Sequence, residues 1–342
     1  MSSSDPFIIL IIDSEQIHWD QIFSEQPDFI SKYNIQIEQT TWENILSVTS
    51  FNENFTSKSK RCEVTMRPYK TKCSHNEQRN KQRVCRPQFV LVRKLVQGLK
   101  IDQHDYTNHL LGMIHCNLDS VNNLKSIYLN LQRPIIHGIL TQIRDDKGYD
   151  KFPLIDQYYY SEPHTILFTP NSSENKVVLK VGSAEAGYGK VLLNNDSGTL
   201  RDFAGVVTRY NDFMTCEPFI SNRKCDIRVQ KIGKNIRVYE RVSSNWKGNV
   251  GNSILKEVEV KKHYKDWIKW VDEAMKREIG CELDIFTLDA ILVETIETGK
   301  TTPVITKEYI LEINDSASGL APENLEKDLR LIRDLVIEKI KK

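Results

Sequence analysis

The stretch that most constrains the fold is residues 177–193, VVLKVGSAEAGYGKVLL. Two apolar runs rich in β-branched residues flank a segment of glycine and other small residues, and this reads as strand, glycine-rich turn, strand. Lys180 ends the first apolar run and Lys190 opens the second. Between them lie Gly182, Gly187 and Gly189, with Ser183, Ala184 and Ala186. Glycines let backbone N–H groups approach a ligand closely, and the two lysines place point charges where phosphate oxygens could sit. The pattern is not a Walker A loop, because Tyr188 follows Gly187, and it holds no G-x-G-x-x-G. By themselves the residues fit a plain hairpin with surface lysines as well as a phosphate loop.

The surrounding chain supplies the context. Residues 7–12 read as a buried strand, 19–29 as a short helical region, 35–38 as a second strand and 89–92 as a third, with a helix over 105–115. Strands alternating with helices imply an α/β layer with a mostly parallel sheet. Residues 51–86 are polar and lysine-rich, and are expected to form an inserted mobile loop. A linker is expected over 122–133, a helix over 135–144 and a connector over 157–176. After the opening hairpin come a helix at 200–208 and the strand MTCEPFI at 214–220, which Pro218 brings to its end. Residues 226–242 form a hairpin about Gly233-Lys234-Asn235. Strand alternation puts Arg228 and Gln230 on one face, and Arg237, Tyr239 and Arg241 together on a face of the partner. A loop follows at 243–253. An amphipathic helix at 263–279 carries Trp267 and Trp270 toward the core, strands follow at 285–293 and 309–313, and a charged helix runs from 322.

Composition bounds the function. Hydrophobic residues at 39% and charged residues at 27% describe an ordinary globular protein. A net charge of +1 gives no global field toward nucleic acid, so no nucleic-acid partner is expected. The seven cysteines are scattered without a C-x-x-C, which suits reduced thiols in a cytoplasmic chain. Cys62, Cys73, His75 and Cys85 share one polar segment, but their spacing matches no standard zinc template. The start has no basic n-region, and no apolar run is long enough to span a bilayer.

Asp289 lies in the strand FTLDAILV, and Glu312 and Asn314 lie two apart in its expected partner ILEIN, so they share a face. Two carboxylates and an amide oxygen form a hard donor set suited to Mg²⁺ or Ca²⁺ bridging phosphate oxygens. The bland alternative is a surface strand end with ordinary polar residues.

A lysine before a glycine-rich hairpin, an E-P-F-I strand, an arginine-bearing hairpin and D…E-x-N on late strands together resemble the ATP-grasp fold. More narrowly, PQFVLVRK at 87–94, SVNNLKSIYL at 120–129, FPLIDQ at 152–157, EPFI at 217–220, DIRVQKIGKN at 226–235 and NWKGNVGNS at 245–253 resemble the C domain of synapsins. The resemblance implies a parallel-sheet pre-ATP-grasp domain at 5–125, with the polar insert at 51–86. It implies an ATP-grasp domain at 126–342, with a lid at about 150–220 and a metal-bearing part at about 221–342. By resemblance, Lys180 contacts ATP phosphates and the glycine loop with Gly187 and Gly189 folds over them, with Lys190 at its end. Glu217, Phe219 and Ile220 hold the adenine, Lys247 belongs to a closing loop, and Arg228 and Arg241 face the γ-phosphate or a second ligand. Asp289 and Glu312 hold the metal, Mg²⁺ or Ca²⁺.

The chain departs from the synapsin pattern at three site positions. Arg133 stands where synapsins have lysine, Asp289 where they have glutamate, and Asn314 follows the metal glutamate as in active ATP-grasp ligases. In the sequence given, only residues 1–5 precede the first strand, so attachments that depend on flanking synapsin segments are not carried over. The expectation is a synapsin-like ATP- and metal-binding protein. Its self-association, as a homodimer or higher oligomer, and its peripheral association with vesicle membranes in exocytosis would depend on nucleotide. The rival readings are a working carboxylate–amine ligase that forms an acyl phosphate, and a scaffold with a vestigial site.

Overall fold

Six consecutive apolar residues, FIILII, can be buried only in a strand covered on both faces. In the computed structural model they form the centre of a parallel sheet. The structure describes residues 5–51, 61–67, 82–97, 104–162, 169–172, 174–182, 189–207, 213–243, 245–248, 253–295 and 305–342. The first part of the chain runs β1 (Phe7–Ile12), α1 (Trp19–Ser24), α2 (Pro27–Tyr33), β2 (Ile35–Thr40), β3 (Ile45–Phe51), β4 (Arg61–Met66), β5 (Arg83–Cys85), β6 (Phe89–Val92), α3 (Thr107–His115) and β7 (Asp119–Val121). Strands in the order β2-β1-β6-β7 are parallel. Their alternate residues serve two cores. Leu10, Ile12, Val90 and Val92 pack with Val64 and Met66 of β4 and Leu110 of α3. Ile9, Ile11, Phe89 and Leu91 pack with Trp19, Phe23 and, from the far end of the chain, Ile332 and Val336.

Three expectations are corrected here. The region 51–86 is not all loop, because β3, β4 and β5 form an antiparallel sheet covering one face of the parallel one. Cys62, Val64 and Met66 supply an inward face within an otherwise polar stretch. The helical region at 19–29 is two helices. Pro27 lacks an N–H and starts the second, where that donor would be unused in any case. The expected linker at 122–133 contains a helix, α4 (Leu124–Leu131), whose Asn123 side chain caps the Lys125 N–H. Leu124, Ile127 and Leu131 turn to the core at helical spacing.

The chain continues with α5 (Arg133–Lys147), β8 (Tyr158–Tyr160), β9 (Lys176–Val181), β10 (Lys190–Asn194), α6 (Ser197–Val207), β11 (Met214–Pro218), β12 (Arg223–Ile232), β13 (Asn235–Ser243), β14 (Ser253–Val258), α7 (Lys262–Ile279), β15 (Ile285–Thr295), β16 (Ile305–Asn314) and α8 (Leu325–Ile340). Two antiparallel sheets result, β10-β9-β11-β8 and β14-β13-β12-β15-β16. The larger one buries Ile227, Val229, Leu288 and Ala290 against α5 and α7, where Trp267 is almost fully enclosed and Trp270 packs at the edge. The tryptophans are therefore core residues. The six described cysteines are free thiols. Cys73 and His75 lie outside the described residues, as does most of the glycine loop. No described helix is long and apolar enough to cross a membrane.

One residue joins the first sheet to the larger antiparallel one. Asn122, fully buried with φ of 50°, donates from Nδ2 to the Ile285 carbonyl at 2.6 Å, and its Oδ1 accepts from the Ile285 N–H at 2.7 Å. Its own N–H donates to Asp284 Oδ2 at 3.0 Å.

Candidate functional site

In β9, alternation sends Val177 and Leu179 into a small core with Leu200, Met214 and Cys216. Val178 and Lys180 face the opposite way, into a cleft. Lys180 stands across from Lys190 of β10, and Val178 across from Glu217 of β11. The register places Lys180 Nζ 2.5 Å from Glu217 Oε1, with both side chains nearly buried, and Gln157 Nε2 donates to the same oxygen at 2.7 Å. The Glu217 carboxylate therefore orients Lys180. At the end of β11, Pro218 has no N–H and the Phe219 N–H is bonded to the Lys176 carbonyl at 3.1 Å. Ile220 lines the cleft beyond it. Gly182 and Gly189 take positive φ, 53° and 65°, at the two ends of the glycine turn, a conformation that favours glycine. Gly187 lies outside the described residues.

The larger sheet supplies the other wall. Its core face carries Leu288 and Ala290 opposite Ile313 and Ile310, and its cleft face carries Asp289 opposite Glu312. Two residues of β15 thus span three of β16, and a bulge at Leu311 absorbs the difference. Without it, Ile310 and Glu312 would fall on one face. Arg228 of β12 stands across from Asp289 and grips it with two bonds, Nε to Oδ1 at 3.0 Å and Nη2 to Oδ2 at 3.1 Å. Asn314 Nδ2 donates to the same carboxylate at 3.1 Å. Arg133, at the start of α5, reaches Glu312 Oε2 at 3.4 Å and Asn314 Oδ1 at 3.3 Å. Lys190 Nζ lies 3.6 Å from Glu312 Oε1.

These pairs move the titrations. Burial alone would raise the Glu312 carboxyl, but Lys190, Arg133 and Lys180 overcome it and hold it far below the usual carboxylate range. Burial pushes Lys190 down, against the pull of Glu312. Arg228 is raised by the Asp289 charge. Arg241 is lowered by burial and by Arg228 beside it.

Asp289, Glu312 and Asn314 come together as the sequence implied. No group of three or more His, Cys, Asp or Glu suited to a metal occurs among the described residues. The donor set is two carboxylates and an amide. That is too few for a protein-only cage, but it fits a hard cation completed by water and phosphate oxygens. The cleft has a volume of about 440 Å³ and is walled by Lys180, Lys190, Glu217, Ile220, Arg241 and Lys247, among others. A second pocket of about 340 Å³ shares Glu312 and Asp289 with the cleft and is lined also by Val96, Arg133, Arg241, Asn314 and Ser318. Sequence reasoning missed Gln157, Arg223 and Asp226. Asp226 shares the cleft face of β12 with Arg228, and period-2 alternation could have found it.

Two family models match the chain: "Synapsin, ATP binding domain" over residues 122–342 and "Synapsin pre-ATP-grasp domain" over residues 2–120. A synapsin of Drosophila melanogaster is 29% identical over 337 residues, covering 96% of this chain and 29% of that protein's length. Among solved structures, the ATP-grasp ligase PsnB complexed with a minimal precursor superposes with a TM-score of 0.57 at 12% identity, covering 98% of this chain and all of the other. The macrocyclase MdnC bound with precursor peptide MdnA, from Microcystis aeruginosa MRC, gives 0.55 at 13%, covering 96% and 99%. The D-cycloserine synthetase DcsG gives 0.55 at 8%, covering 97% and 99%. At these identities the structures establish the fold, which is ATP-grasp.

Proposed function

The chain belongs to the synapsin family, and from that premise we propose that it binds ATP together with a divalent cation in the cleft between its four-stranded and five-stranded antiparallel sheets. We further propose that nucleotide occupancy controls its self-association and its attachment to vesicle surfaces. The observation that carries the reading is the convergence of Lys180, Lys190, Arg133, Arg228 and Arg241 on the Asp289–Glu312–Asn314 face. Lys180, held by Glu217, supplies a fixed charge to phosphate oxygens. Lys190 and Arg133 now rest on Glu312 and can turn to the phosphates. A Mg²⁺ or Ca²⁺ held by Asp289, Glu312 and Asn314 would bridge phosphate oxygens and offset their charge. The adenine would lie along the Glu217–Ile220 wall, and Lys247 would close over the cleft. The chain spans about 29% of the length of its Drosophila relative, and the vesicle role is carried over from family membership.

Calorimetry of the whole chain with ATP, with Mg²⁺ and Ca²⁺ varied, tests this. Saturable binding with a metal-dependent affinity is expected. No heat at millimolar ATP would leave only a scaffold with a vestigial site. Sedimentation with and without ATP tests the self-association.

A second reading is a carboxylate–amine ligase. It is favoured by the 340 Å³ pocket, which adjoins Asp289, Asn314 and Arg241 and has room for an acceptor. Release of ADP and phosphate on addition of amino acids or peptides would support it.

A further inference from the structure

Arg223 opens β12, and the register there slips. Arg223 pairs with Val293 while Cys225 pairs with Leu292, so Lys224 is a bulged residue. Bulges re-aim side chains, and this one turns Arg223 onto the segment that follows β13. Its Nη1 donates to the Trp246 carbonyl at 2.9 Å and to Asp226 Oδ1 at 3.2 Å. Its Nη2 donates to the Ser243 carbonyl at 3.4 Å and also to the Asn245 carbonyl. One guanidinium thus ties three carbonyls of a single short segment to a carboxylate of the sheet. The segment is also organised internally, since Asn245 Oδ1 accepts from the Lys247 N–H at 3.1 Å.

A second observation concerns Gly248. A Cβ built on it would lie 1.7 Å from Asp226 Oδ2 and 2.8 Å from its Cγ. Asp226 cannot simply swing away, because its other oxygen is held by Arg223. The backbone of the segment therefore lies directly on Asp226, and Trp246, Lys247 and Gly248 line the cleft.

We infer that Arg223 and Asp226 form a catch that seats residues 245–248, and Lys247 with them, against the nucleotide cleft. Arg223 and Gly248 are positioning residues that set how long a bound nucleotide stays. The inference rests on the proposed nucleotide site. The segment contributes Asn245, Trp246, Lys247 and Gly248 to the cleft wall, so a ligand leaving past Lys247 must displace it. Loosening the catch should speed departure and leave arrival unchanged, as most changes at a binding interface do.

The test is stopped-flow release of a fluorescent N-methylanthraniloyl ATP from the whole chain in Mg²⁺, chased with excess ATP. Arg223→Gln and Gly248→Ala are each expected to raise the dissociation rate about tenfold, the factor that corresponds to one lost charge-assisted contact, with association altered less than about twofold. Arg223→Lys should be intermediate, because a single ammonium cannot span both arms of the fork. In an Asp226→Ala background, where the Cβ has room, Gly248→Ala should add less than about twofold. Unchanged dissociation in Arg223→Gln and Gly248→Ala, with binding intact, overturns the catch, even if both variants melt earlier without nucleotide. An equal effect of Gly248→Ala in both backgrounds overturns the seating on Asp226. If the unaltered chain binds no nucleotide, the site itself is refuted and the catch with it.

Discussion

Replacing Lys180 by methionine separates what this residue does for the fold from what it does for the ligand. Its ammonium lies 2.5 Å from Glu217, and the two side chains are 11% and 4% exposed. Lys180→Met fills similar volume but leaves the Glu217 charge enclosed, with Gln157 still donating to it. Breaking a buried pair from one side costs about 3–5 kcal/mol, and the Gln157 bond argues for the lower end, about 3 kcal/mol. Urea denaturation followed by circular dichroism would read that loss. Calorimetric ATP affinity should fall about ten- to a hundredfold, the worth of one charged contact to phosphate. The double variant Lys180→Met/Glu217→Gln removes both charges. Its stability should return to within about 1 kcal/mol of the unaltered chain, because a neutral pair of the same shape leaves no bare ion inside. Its ATP affinity should stay low. If the double variant recovers ATP binding along with stability, Lys180 serves the four-stranded sheet only. If the single variant is as stable as the parent, the enclosure of Glu217 has been misjudged.

Glu312→Gln should destabilise the chain at pH 7 by an amount that shrinks in acid. A carboxyl held below its unfolded value contributes stability above the ordinary carboxylate range, and that contribution is lost as pH falls through the folded value. Urea midpoints of parent and variant should therefore converge from about pH 4 downward, and a constant gap would contradict the assignment. Asn122→Ala strips partners from both the N–H and the C=O of Ile285, fully inside the molecule. Two orphaned backbone groups cost about 2–4 kcal/mol, which urea unfolding would detect, and a loss under about 0.5 kcal/mol would show that Asn122 is not the joint it is taken for.

Legibility in the sequence followed the range over which each feature is determined. FIILII announced a doubly covered strand because burial on both faces leaves no polar position. The β12–β13 hairpin was visible through its glycine-bearing turn. The strand RCEVTM, β4, was missed although Cys62, Val64 and Met66 alternate properly, because its polar surroundings masked six residues of period 2. Helix α4 was missed although Leu124, Ile127 and Leu131 follow an asparagine cap. Both signals were present and underweighted. The bulges at Leu311 and Lys224 were of another kind, since each exists only as a mismatch between a strand and a neighbour distant in sequence. They put Glu312 opposite Asp289 and Arg223 onto the carbonyls of Ser243, Asn245 and Trp246. Residue types and the pairing of the Asp289 strand with the Glu312 strand were therefore legible at the site, while the bulges that set the register and the Arg223 contacts were not.

The pairing has a consequence for how ligands enter. Among the described residues five carboxylates line the cleft, and each already has a cation: Glu174 has Lys176, Glu217 has Lys180, Asp289 has Arg228, Glu312 has Lys190 and Arg133, and Asp226 has Arg223. A polyphosphate arriving alone must take cations from Glu312 and Asp289 and leave those carboxylates bare in a poorly hydrated place, which is costly. A divalent cation arriving alone must evict Lys190 and Arg228, and these then lack a counter-charge. Arriving together, the phosphates receive the ammonium and guanidinium groups while the carboxylates turn to the cation, and every charge is re-paired. If the cleft takes a cation with the nucleotide, as proposed, its self-neutralised charges would couple the two, and by linkage the coupling would be reciprocal. Each should tighten the other by the same factor. Arg228, with its two bonds to Asp289, is the guanidinium that a cation on that carboxylate would compete with most directly.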